Sequence, residues 1–412
     1  MSFPRVEWIP LEEWASAEQR RRVVDCWSHP QLLAVTQALQ ELGIACLLVG
    51  GVVRDLLLER DNKDLDLVVE CSAETLYSRK SRLARSTGAS PVALDRERGI
   101  LRLCFRGGVE LDLVSLQAET LYDDLLRRDL TINAMALSAE GGLMDPFQGR
   151  HDLERRVLRV VRCGNFLDDP LRTVRGLRFA AQLLFGMEDE TWNQLLKAVP
   201  GLERVAGERI RVELRKFFEH ARFQQIDMLL KSGLRETLFP GFAGFDRYLR
   251  QAPPGWLPGL AAWLAEGLAQ EAGREQTMLR LKLSRKEKRW LDGWARGVEL
   301  LRNDLEWSTG EIYDLSMLAG PAFTELAGMI QEPDFPIAAS AETREAILRE
   351  SQQKGRLRFQ PVPWNGTQIA ESLGRSSGPW MKQAVETLDK AWALREIESL
   401  EEGVQLLKRA EN

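Results

Sequence analysis

Residues 44–70 read IACLLVGGVVRDLLLERDNKDLDLVVE, and this stretch decides the fold. The apolar run at 44–49 predicts a strand, and the two glycines after it predict a turn into a short helix over residues 52–58. Residues 64–70 predict a second strand. Strand, glycine turn, helix and strand in this order indicate a unit that mixes helices with a sheet.

The elements on either side extend this unit. Helices are predicted over residues 30–43 and 73–87, and two further strands over 101–105 and 109–113. From about residue 149 onward the strand patterns nearly stop, and Leu-, Arg- and Glu-rich helical patterns take over. The predicted fold class is therefore α+β, with a mainly antiparallel or mixed sheet in a catalytic-looking head and a long all-α remainder.

The composition limits the binding partners and the cellular compartment that the protein can have. The chain has 412 residues with 56 basic and 61 acidic side chains, so its formal charge is −5. This balance excludes a protein that coats nucleic acid by bulk charge, although a local basic surface stays open. The five cysteines are widely spaced without a CxxC pair, which predicts free thiols in a reducing cytoplasm. No apolar run is long enough to span a bilayer, and three scattered histidines argue against a metal site built on histidine.

Two carboxylates, Asp64 and Asp66, stand two residues apart on the second predicted strand. Positions i and i+2 of a strand point to the same face, so these side chains repel each other unless a cation lies between them. Carboxylate oxygens select Mg²⁺, and two such ions can activate an attacking hydroxyl and stabilise a leaving phosphate. A solvated strand face is the alternative interpretation. On the later strand, Glu110 or Asp112 or both could join the site, and we favour Asp112.

The turn at Gly50 and Gly51 leads into the short helix that carries Arg54 and Asp55. Such a turn can present backbone N–H groups to a phosphate. It differs from a Walker loop, because no Gly-Lys-Ser or Gly-Lys-Thr follows. Its position beside the carboxylate pair favours a nucleotide site over a solvated strand face.

A third segment, RRDLTINAMA at residues 127–136, places Arg127, Arg128 and Asp129 before a β-like run that contains Asn133. An arginine guanidinium can make two hydrogen bonds to one phosphate, and an asparagine amide can make a hydrogen bond to a ribose hydroxyl. A surface arginine pair that caps a helix is the alternative interpretation.

The segments LLVGGVVRDLLL, DLDLVV and RRDLTINAMA together resemble the class II tRNA nucleotidyltransferases, which include CCA-adding enzymes and bacterial poly(A) polymerases within the polymerase-β superfamily. The resemblance implies a polymerase-β-like head and template-independent, two-metal in-line transfer of a nucleotide from CTP or ATP to a tRNA 3′ end. It implies catalytic roles for Asp64, Asp66 and Asp112, with Mg²⁺ held by the first two. The implied nucleotide-binding residues are Gly50, Gly51, Arg54, Asp55, Arg127, Arg128, Asp129, Asn133, Asp169, Arg172, Arg175 and Arg178.

The segment DDPLRTVRGLRFAAQL at residues 168–183 predicts a helix with Asp169 as its N-cap and Pro170 at its first position. Its arginines recur at every third residue from Arg172 to Arg178 and would form a partly aligned basic ridge. The neck of the resembling family contains such a helix, and there it reads the base of the incoming nucleotide.

The family pattern in this helix is Glu-Asp-x-x-Arg, and this chain has the shorter Asp168 at the first position. Asp169 and Arg172 match the pair that reads the base. Cytosine and adenine both carry an amino donor beside a ring-nitrogen acceptor, with which a carboxylate and a guanidinium can pair. Uracil and guanine show the reverse pattern and would lose about 1–3 kcal/mol per good pair.

The resemblance also implies a division along the chain and a set of partners. The partners are tRNA, through its 3′ end and acceptor stem, and CTP or ATP, and a homodimer is left open. The predicted parts are an N-terminal extension (1–30), the catalytic head (31–148), a helical neck (149–240), a helical body (241–360) and a helical tail (361–412).

The short segment between the strand at Asp112 and Arg127 distinguishes between members of this group. CCA-adding members usually carry a longer flexible loop there, so we favour the CC-adding subgroup. A bacterial poly(A) polymerase is one alternative, but residues 91–105 lack the basic, His-containing signature of those enzymes. A non-catalytic RNA-binding relative is the other, although clustered acids would not help such a protein bind RNA.

Overall fold

The computed structural model describes residues 7–61, 65–251, 254–302, 306–332, 335, 337–352 and 361–410. The chain divides into two compact units, Met1–Val205 and Ala206–Asn412. The first unit combines a sheet with helices, and the described part of the second is helical, which confirms the α+β class. The finer division into extension, head, neck, body and tail stays a prediction.

The first unit contains the described strands and the helices that surround them. In chain order its elements are α1 (Leu11–Trp14), α2 (Ala17–Trp27), α3 (Pro30–Glu41), β1 (Cys46–Val49), α4 (Gly51–Leu57), β2 (Leu65–Val69), α5 (Ala73–Thr87), β3 (Ser90–Asp95), β4 (Ile100–Cys104), β5 (Glu110–Ser115), α6 (Leu121–Leu126), a 3₁₀ turn (Thr131–Asn133), β6 (Ala136–Leu137), β7 (Leu143–Met144), α7 (Gly149–Arg155), β8 (Val157–Leu158), α8 (Asn165–Asp168), α9 (Leu171–Leu183), β9 (Gly186–Met187), α10 (Asp189–Ala198) and a 3₁₀ helix (Val199–Arg204).

The main sheet of this unit has seven strands in the order β3-β4-β5-β2-β1-β6-β7. The β2–β5 pair is parallel and the other neighbouring pairs are antiparallel, as predicted for a mixed sheet. A separate two-stranded sheet joins β8 and β9 in parallel. The parallel pair at the centre of the main sheet is the part that positions the predicted carboxylates.

An apolar cluster covers one face of the main sheet. Leu121 and Leu125 of α6 pack with Leu47 and Val49 of β1 and with Val68 of β2. Residues i and i+2 of a strand share a face, so the residue two positions before Val68 points to this same side, at the start of β2. The apolar cluster therefore lies beside the polar end of the strand on that face.

Most predicted elements of this unit form, with shifted ends. The predicted helix over 73–87 coincides with α5, which Ser72 caps by accepting a hydrogen bond from the backbone N–H of Thr75. The strand β3 was not predicted, because its side chains are nearly all exposed and show no alternation of buried and exposed positions. It lies at the edge of the sheet, where one neighbour is enough to form it.

The β-like run predicted around Asn133 is wrong. The chain forms a 3₁₀ turn over Thr131–Asn133, in which the backbone N–H of Asn133 donates to the carbonyl of Leu130 at 2.9 Å. The carboxylate of Asp129 favours this turn, because it accepts hydrogen bonds from the backbone N–H of Leu130 and from the side-chain amide of Asn133.

The second unit is built from helices around buried tryptophans, among them Trp263 and Trp294. A smaller apolar cluster at its C-terminal end includes Ile369, Leu388 and Leu407. In chain order its elements are α11 (Gly207–Phe218), α12 (Phe223–Lys231), α13 (Leu234–Leu238), α14 (Asp246–Gln251), α15 (Trp256–Trp263), α16 (Ala265–Ala269), α17 (Glu271–Arg280), α18 (Arg285–Leu301), α19 (Thr309–Ala319), a 3₁₀ turn (Gly320–Ala322), α20 (Phe323–Met329), α21 (Ala341–Ser351), α22 (Gly366–Leu373), α23 (Trp380–Ala393) and α24 (Leu400–Ala410).

Candidate nucleotidyl-transfer site

Two of the predicted carboxylates face each other at the centre of the sheet. Asp66 of β2 is the register partner of Asp112 in the parallel β2–β5 pair, and both are half-buried. Directly opposed residues on neighbouring strands share a face, so the two side chains lie on the same side of the sheet. Asp64, the other member of the predicted pair, lies outside the described residues.

The guanidinium of Arg102, on β4, makes a bidentate contact with the carboxylate of Asp112. Its Nε donates to Oδ1 at 2.8 Å and its Nη2 to Oδ2 at 2.9 Å, while its Nη1 donates to Glu110 at 2.5 Å. The hydrogen bonds to Asp112 raise the pKa of Arg102, and the charges of Asp112 and Glu110 add to this effect. Glu110 is the more exposed of the two carboxylates, at the start of β5.

These carboxylates supply the hard oxygen donors that suit a magnesium ion. Within the part of the chain that the structure describes, no group of three His, Cys, Asp or Glu side chains is arranged to hold a metal. A metal site at Asp66 would need further ligands, and the sequence predicts Asp64 as one of them. Assignment of the ion to Asp64 and Asp66 stays a prediction.

The glycine turn before α4 is shaped by a close guanidinium. Gly50 has a φ of 74°, and a Cβ added to it would lie 2.8 Å from Nη1 of Arg128. A side chain at this position would therefore be strained by the positive φ, and the end of the Arg128 side chain would have to move. The backbone N–H of Gly50 donates to the carbonyl of Met135 at 3.2 Å, so this N–H group of the predicted phosphate turn is used within the protein.

Arg54 on α4 joins the first predicted motif to the third. Its Nε and Nη2 donate to the two carboxylate oxygens of Asp55 at 2.8 and 3.0 Å. Its Nη1 donates to the side-chain oxygen of Asn133 at 2.8 Å. Because one guanidinium holds both side chains, the amide group of Asn133 is fixed in one orientation.

Asp129 is buried beneath this group and holds it together. Its Oδ1 accepts from Nδ2 of Asn133 at 3.2 Å and from the backbone N–H of Leu130 at 2.9 Å, and its Oδ2 accepts from Nε of Arg175 at 2.8 Å. Burial by itself would raise the pKa of Asp129, but the charge of Arg175 and these hydrogen bonds outweigh it and hold the pKa well below its usual range. Asp129 thus stays ionised and orients both Asn133 and Arg175.

Three guanidinium groups surround the ring of Phe179. The Cζ atoms of Arg178, Arg54 and Arg175 lie 3.9, 5.1 and 5.8 Å from the ring centre. Phe179 is buried, and it was not among the predicted site residues. The available signal was its place on the predicted helix, four residues after Arg175, because a helix brings side chains at this spacing together.

The helix α9 begins at Leu171, one residue later than predicted. The side-chain carboxylate of Asp169 accepts a hydrogen bond from the backbone N–H of Leu171 at 3.3 Å. The backbone carbonyl of Asp169 accepts one from the backbone N–H of Arg172 at 2.9 Å. Asp169 therefore satisfies backbone donors of the first turn, much as the prediction of an N-cap required. Asp168 pairs with Arg162 at 2.5 Å.

The predicted basic ridge on α9 does not form as one surface. Arg172 donates to the backbone carbonyls of Asn165 and Arg127 at 3.1 and 2.7 Å, and burial lowers its pKa. Arg178 is buried and donates to Gln182 at 2.8 Å, over the ring of Phe179. The arginines of this helix therefore bind different partners within the protein.

The two arginines that open the third motif also differ from each other. The guanidinium of Arg127 donates to the carbonyl of Gln117, away from the ring of Phe179. Arg128 donates to Asp124 at 3.3 Å, and its Nε is buried with no hydrogen-bond partner among the described residues. Side-chain contacts thus connect three of the predicted motifs: the glycine turn with α4, the segment at residues 127–136 and the helix α9. We call this set of residues the contact chain. It contains Asp55, Arg54, Asn133, Asp129, Arg175 and Phe179.

Family models match two parts of the chain. The family described as poly A polymerase head domain matches residues 46–159, and the one described as probable RNA and SrmB-binding site of polymerase A matches residues 185–245. In the described parts of the chain, no helix combines the length and apolarity needed to cross a membrane.

Curated relatives carry names of one enzyme group. A CC-adding tRNA nucleotidyltransferase of Geobacter sulfurreducens is 40% identical over 195 residues, which is 47% of this chain and less than half, 45%, of that protein. A CC-adding tRNA nucleotidyltransferase of Shouchella clausii is 26% identical over 360 residues, covering 86% of this chain and 91% of the relative. A CCA-adding enzyme of Geobacillus stearothermophilus is 27% identical over 390 residues, with 91% and 95% covered.

The fold is also found in solved structures. The Thermotoga maritima CCA-adding enzyme complexed with tRNA superposes with a TM-score of 0.70 at 22% identity, covering 99% of this chain and all of that one. The motif residues, the mixed sheet and these matches agree with one another. These matches support placing the chain among the CCA-adding tRNA nucleotidyltransferases, as an enzyme of the nucleotidyltransferase class.

Proposed function

We propose that this enzyme adds C, A or both from CTP and ATP to the 3′ end of tRNA without a template. The observation that carries the proposal is the register pairing of Asp66 with Asp112 in the centre of the sheet. Opposed carboxylates on one face are costly to keep ionised unless a cation or a guanidinium balances them, which fits a site for phosphoryl chemistry. The curated relatives named above carry this activity in their names.

In this proposal Asp64 and Asp66 hold Mg²⁺, and Asp112 is the third carboxylate. Bound Mg²⁺ would supply positive charge to the attacking 3′ hydroxyl and to the leaving pyrophosphate, in an in-line displacement. Arg102 fixes the orientation of Asp112, since it binds both of its oxygens. Asp112 is favoured over Glu110 because it is the one directly opposite Asp66.

The nucleotide would be held by groups that the contact chain has already oriented. We assign Asn133, whose amide is oriented by Arg54 and Asp129, to a ribose hydroxyl of the nucleotide. Arg128, with an Nε that lacks a protein partner among the described residues, is suited to a phosphate oxygen. The turn at Gly50 and Gly51, with Asp55, Arg127, Arg175 and Arg178, completes the proposed nucleotide-binding set.

Base selection is proposed for Asp169 and Arg172 at the start of α9. Among the described residues, Arg172 uses two of its five N–H donors on carbonyls, and we propose that another donates to the ring-nitrogen acceptor of the base. The carboxylate of Asp169 would accept from the amino group that cytosine and adenine share. The contact of Arg172 with the carbonyl of Arg127 ties this pair to the third motif.

The segment between β5 and Arg127 supports the CC-adding subgroup. It spans residues 116–126, and α6 takes up its second half after Thr120 caps that helix. Gln117 anchors its first half, with Nε2 donating to the carbonyls of Arg98 and Ser115 at 2.5 and 2.6 Å. The segment is therefore short and held at both ends, unlike a long flexible loop. The proposal also includes a cytoplasmic location, and a homodimer is left open.

The experiment is incorporation of labelled nucleotide into a tRNA transcript that ends before its CCA, with Mg²⁺ present. We expect incorporation from CTP and none from UTP or GTP. Absence of A after the added C would identify the CC-adding subgroup, and one A after it would identify a CCA-adding enzyme. Long A tails from ATP alone would identify a poly(A) polymerase instead. Binding of the transcript without any incorporation would identify a non-catalytic RNA-binding relative.

A further inference from the structure

We propose that Asn165 is a positioning residue that holds Arg172 in place for base selection, an inference that rests on the base-reading role proposed for Arg172. Asn165 is the first residue of α8, and its exposed fraction is 0%. A side chain buried so completely cannot touch the nucleotide. It can influence the choice of base only through the residues that it contacts.

Asn165 and Arg172 together bind three successive backbone carbonyls. Nδ2 of Asn165 donates to the carbonyls of Leu126 and Arg128 at 3.4 and 2.5 Å. Nη2 of Arg172 donates to the carbonyl between them, that of Arg127, at 2.7 Å. Nη1 of Arg172 donates to the backbone carbonyl of Asn165 itself at 3.1 Å. The two acceptors of this guanidinium therefore belong either to Asn165 or to the segment that Asn165 holds.

These carbonyls lie where α6 cannot satisfy them. The helix ends at Leu126, and the last carbonyls of a helix have no partner within it. The side-chain amide of Asn165 fixes the direction of the carbonyls on both sides of Arg127. Because each peptide group is planar, the carbonyl of Arg127 then has little freedom to turn away from the guanidinium of Arg172.

Stability alone does not account for an asparagine at this position. Oδ1 of Asn165 is buried and has no hydrogen-bond partner among the described residues. An unpaired buried acceptor costs stability, and an apolar residue of similar volume would avoid that cost. Such a residue could not hold the two carbonyls, so the asparagine is explained by what its amide group positions.

The role has a specific consequence for nucleotide choice. A guanidinium displaced by about 1 Å would lose its alignment with the ring-nitrogen acceptor of cytosine. Uracil presents a donor at this ring position, so it has no such hydrogen bond to lose. Loss of the Asn165 amide should therefore weaken the binding of CTP and leave that of UTP nearly unchanged, whereas a general loss of structure would weaken both.

The test is equilibrium binding of CTP and of UTP, each with Mg²⁺, measured by isothermal titration calorimetry on wild type and on Asn165→Leu. We expect the ratio of the Kd for UTP to the Kd for CTP to fall about threefold to tenfold. The control is Thr277→Val on α17, which removes a buried hydroxyl that donates to the carbonyl of Gly273 at 2.9 Å, and it should leave the ratio unchanged. Thermal unfolding checks that each variant folds, and Asn165→Ala replaces the leucine variant if that one does not.

A double variant tests whether Asn165 acts through Arg172. In an Arg172→Ala background, Asn165→Leu should lower the ratio no further. An undiminished effect there, an unchanged ratio in folded Asn165→Leu, or equal weakening of CTP and UTP would overturn the proposal. An unchanged ratio in Arg172→Ala alone would overturn the proposed base reading and this inference with it. A wild type that prefers CTP in binding but adds no nucleotide to tRNA overturns only the proposed transfer activity.

Discussion

Arg102 holds both carboxylate oxygens of Asp112, with Nε–Oδ1 at 2.8 Å and Nη2–Oδ2 at 2.9 Å. Asp112 in turn stands opposite Asp66, so one guanidinium balances negative charge at the centre of the proposed metal site. Without that guanidinium the two carboxylates would have only a bound cation to reduce their repulsion. In the proposed site, Arg102 would therefore be coupled to a bound metal through Asp112.

Replacement of Arg102 should destabilise the protein most when metal is absent. We expect Arg102→Gln to lower the free energy of unfolding by about 1–2 kcal/mol in EDTA, and by less in excess Mg²⁺, because the ion replaces the lost positive charge. Urea unfolding in the two buffers measures the difference. Arg98→Gln, at an exposed side chain that lies 3.8 Å from Asp95, is the control and should change little in either buffer. An equal loss for Arg102→Gln in both buffers would contradict the coupling.

Asp129 should contribute stability at neutral pH that disappears in acid. Its pKa in the folded protein lies below that of the unfolded chain, so its contribution is complete above about pH 4 and is lost as the pH falls through the folded-state pKa. We expect Asp129→Asn to cost about 2–4 kcal/mol at pH 7, since it leaves Arg175 without its carboxylate. The difference from wild type in urea unfolding should shrink below pH 4. A difference that is constant from pH 7 to pH 3 would show that the charge of Asp129 does not matter.

Loss of the Phe179 ring should weaken nucleotide binding more than it weakens the fold. In Phe179→Leu the guanidiniums of Arg54 and Arg175 lose the surface that holds them, so we expect the KM for CTP to rise about tenfold with kcat changed much less. Phe185→Leu removes a similarly buried ring around which the described residues place no guanidinium, and it is the matched control. Both should lose about 1–2 kcal/mol of stability in thermal unfolding. The same KM in both variants would rule out a positioning role for Phe179.

Arg172 should determine which bases the enzyme accepts. We expect Arg172→Ala to lower the ratio of kcat/KM for CTP over UTP by about tenfold to a hundredfold, because the donor that favours cytosine is lost. Arg162→Ala removes a nearby arginine that pairs with Asp168, and its ratio should equal that of wild type. Steady-state kinetics with each nucleotide separates the two outcomes. An unchanged ratio in Arg172→Ala would remove this residue from base reading.

The sequence patterns located four of the seven strands of the main sheet, because alternation and glycine turns are local signals. The helix over 73–87 and the placement of Asp66 on a strand are examples. The pairing of Arg102 with Asp112 was not predicted, since it depends on which strands become neighbours. The ring of Phe179 was missed for a related reason: Arg54, one of its three guanidinium partners, comes from a distant helix. The turn at Asn133 was misread as β-like because the capping by Asp129 outweighs the apolar pattern around it.

The most direct test of the proposed activity is sequencing of tRNA 3′ ends after reaction of wild type and Asp66→Asn with each nucleotide alone and with CTP plus ATP. We predict that the wild type adds C from CTP, and at most one A after it when ATP is present, and that it leaves the ends unchanged with UTP or GTP. Asp66→Asn should bind the transcript as tightly as wild type and add nothing. Unchanged ends with wild type that binds the transcript, or full addition by Asp66→Asn, would contradict the account.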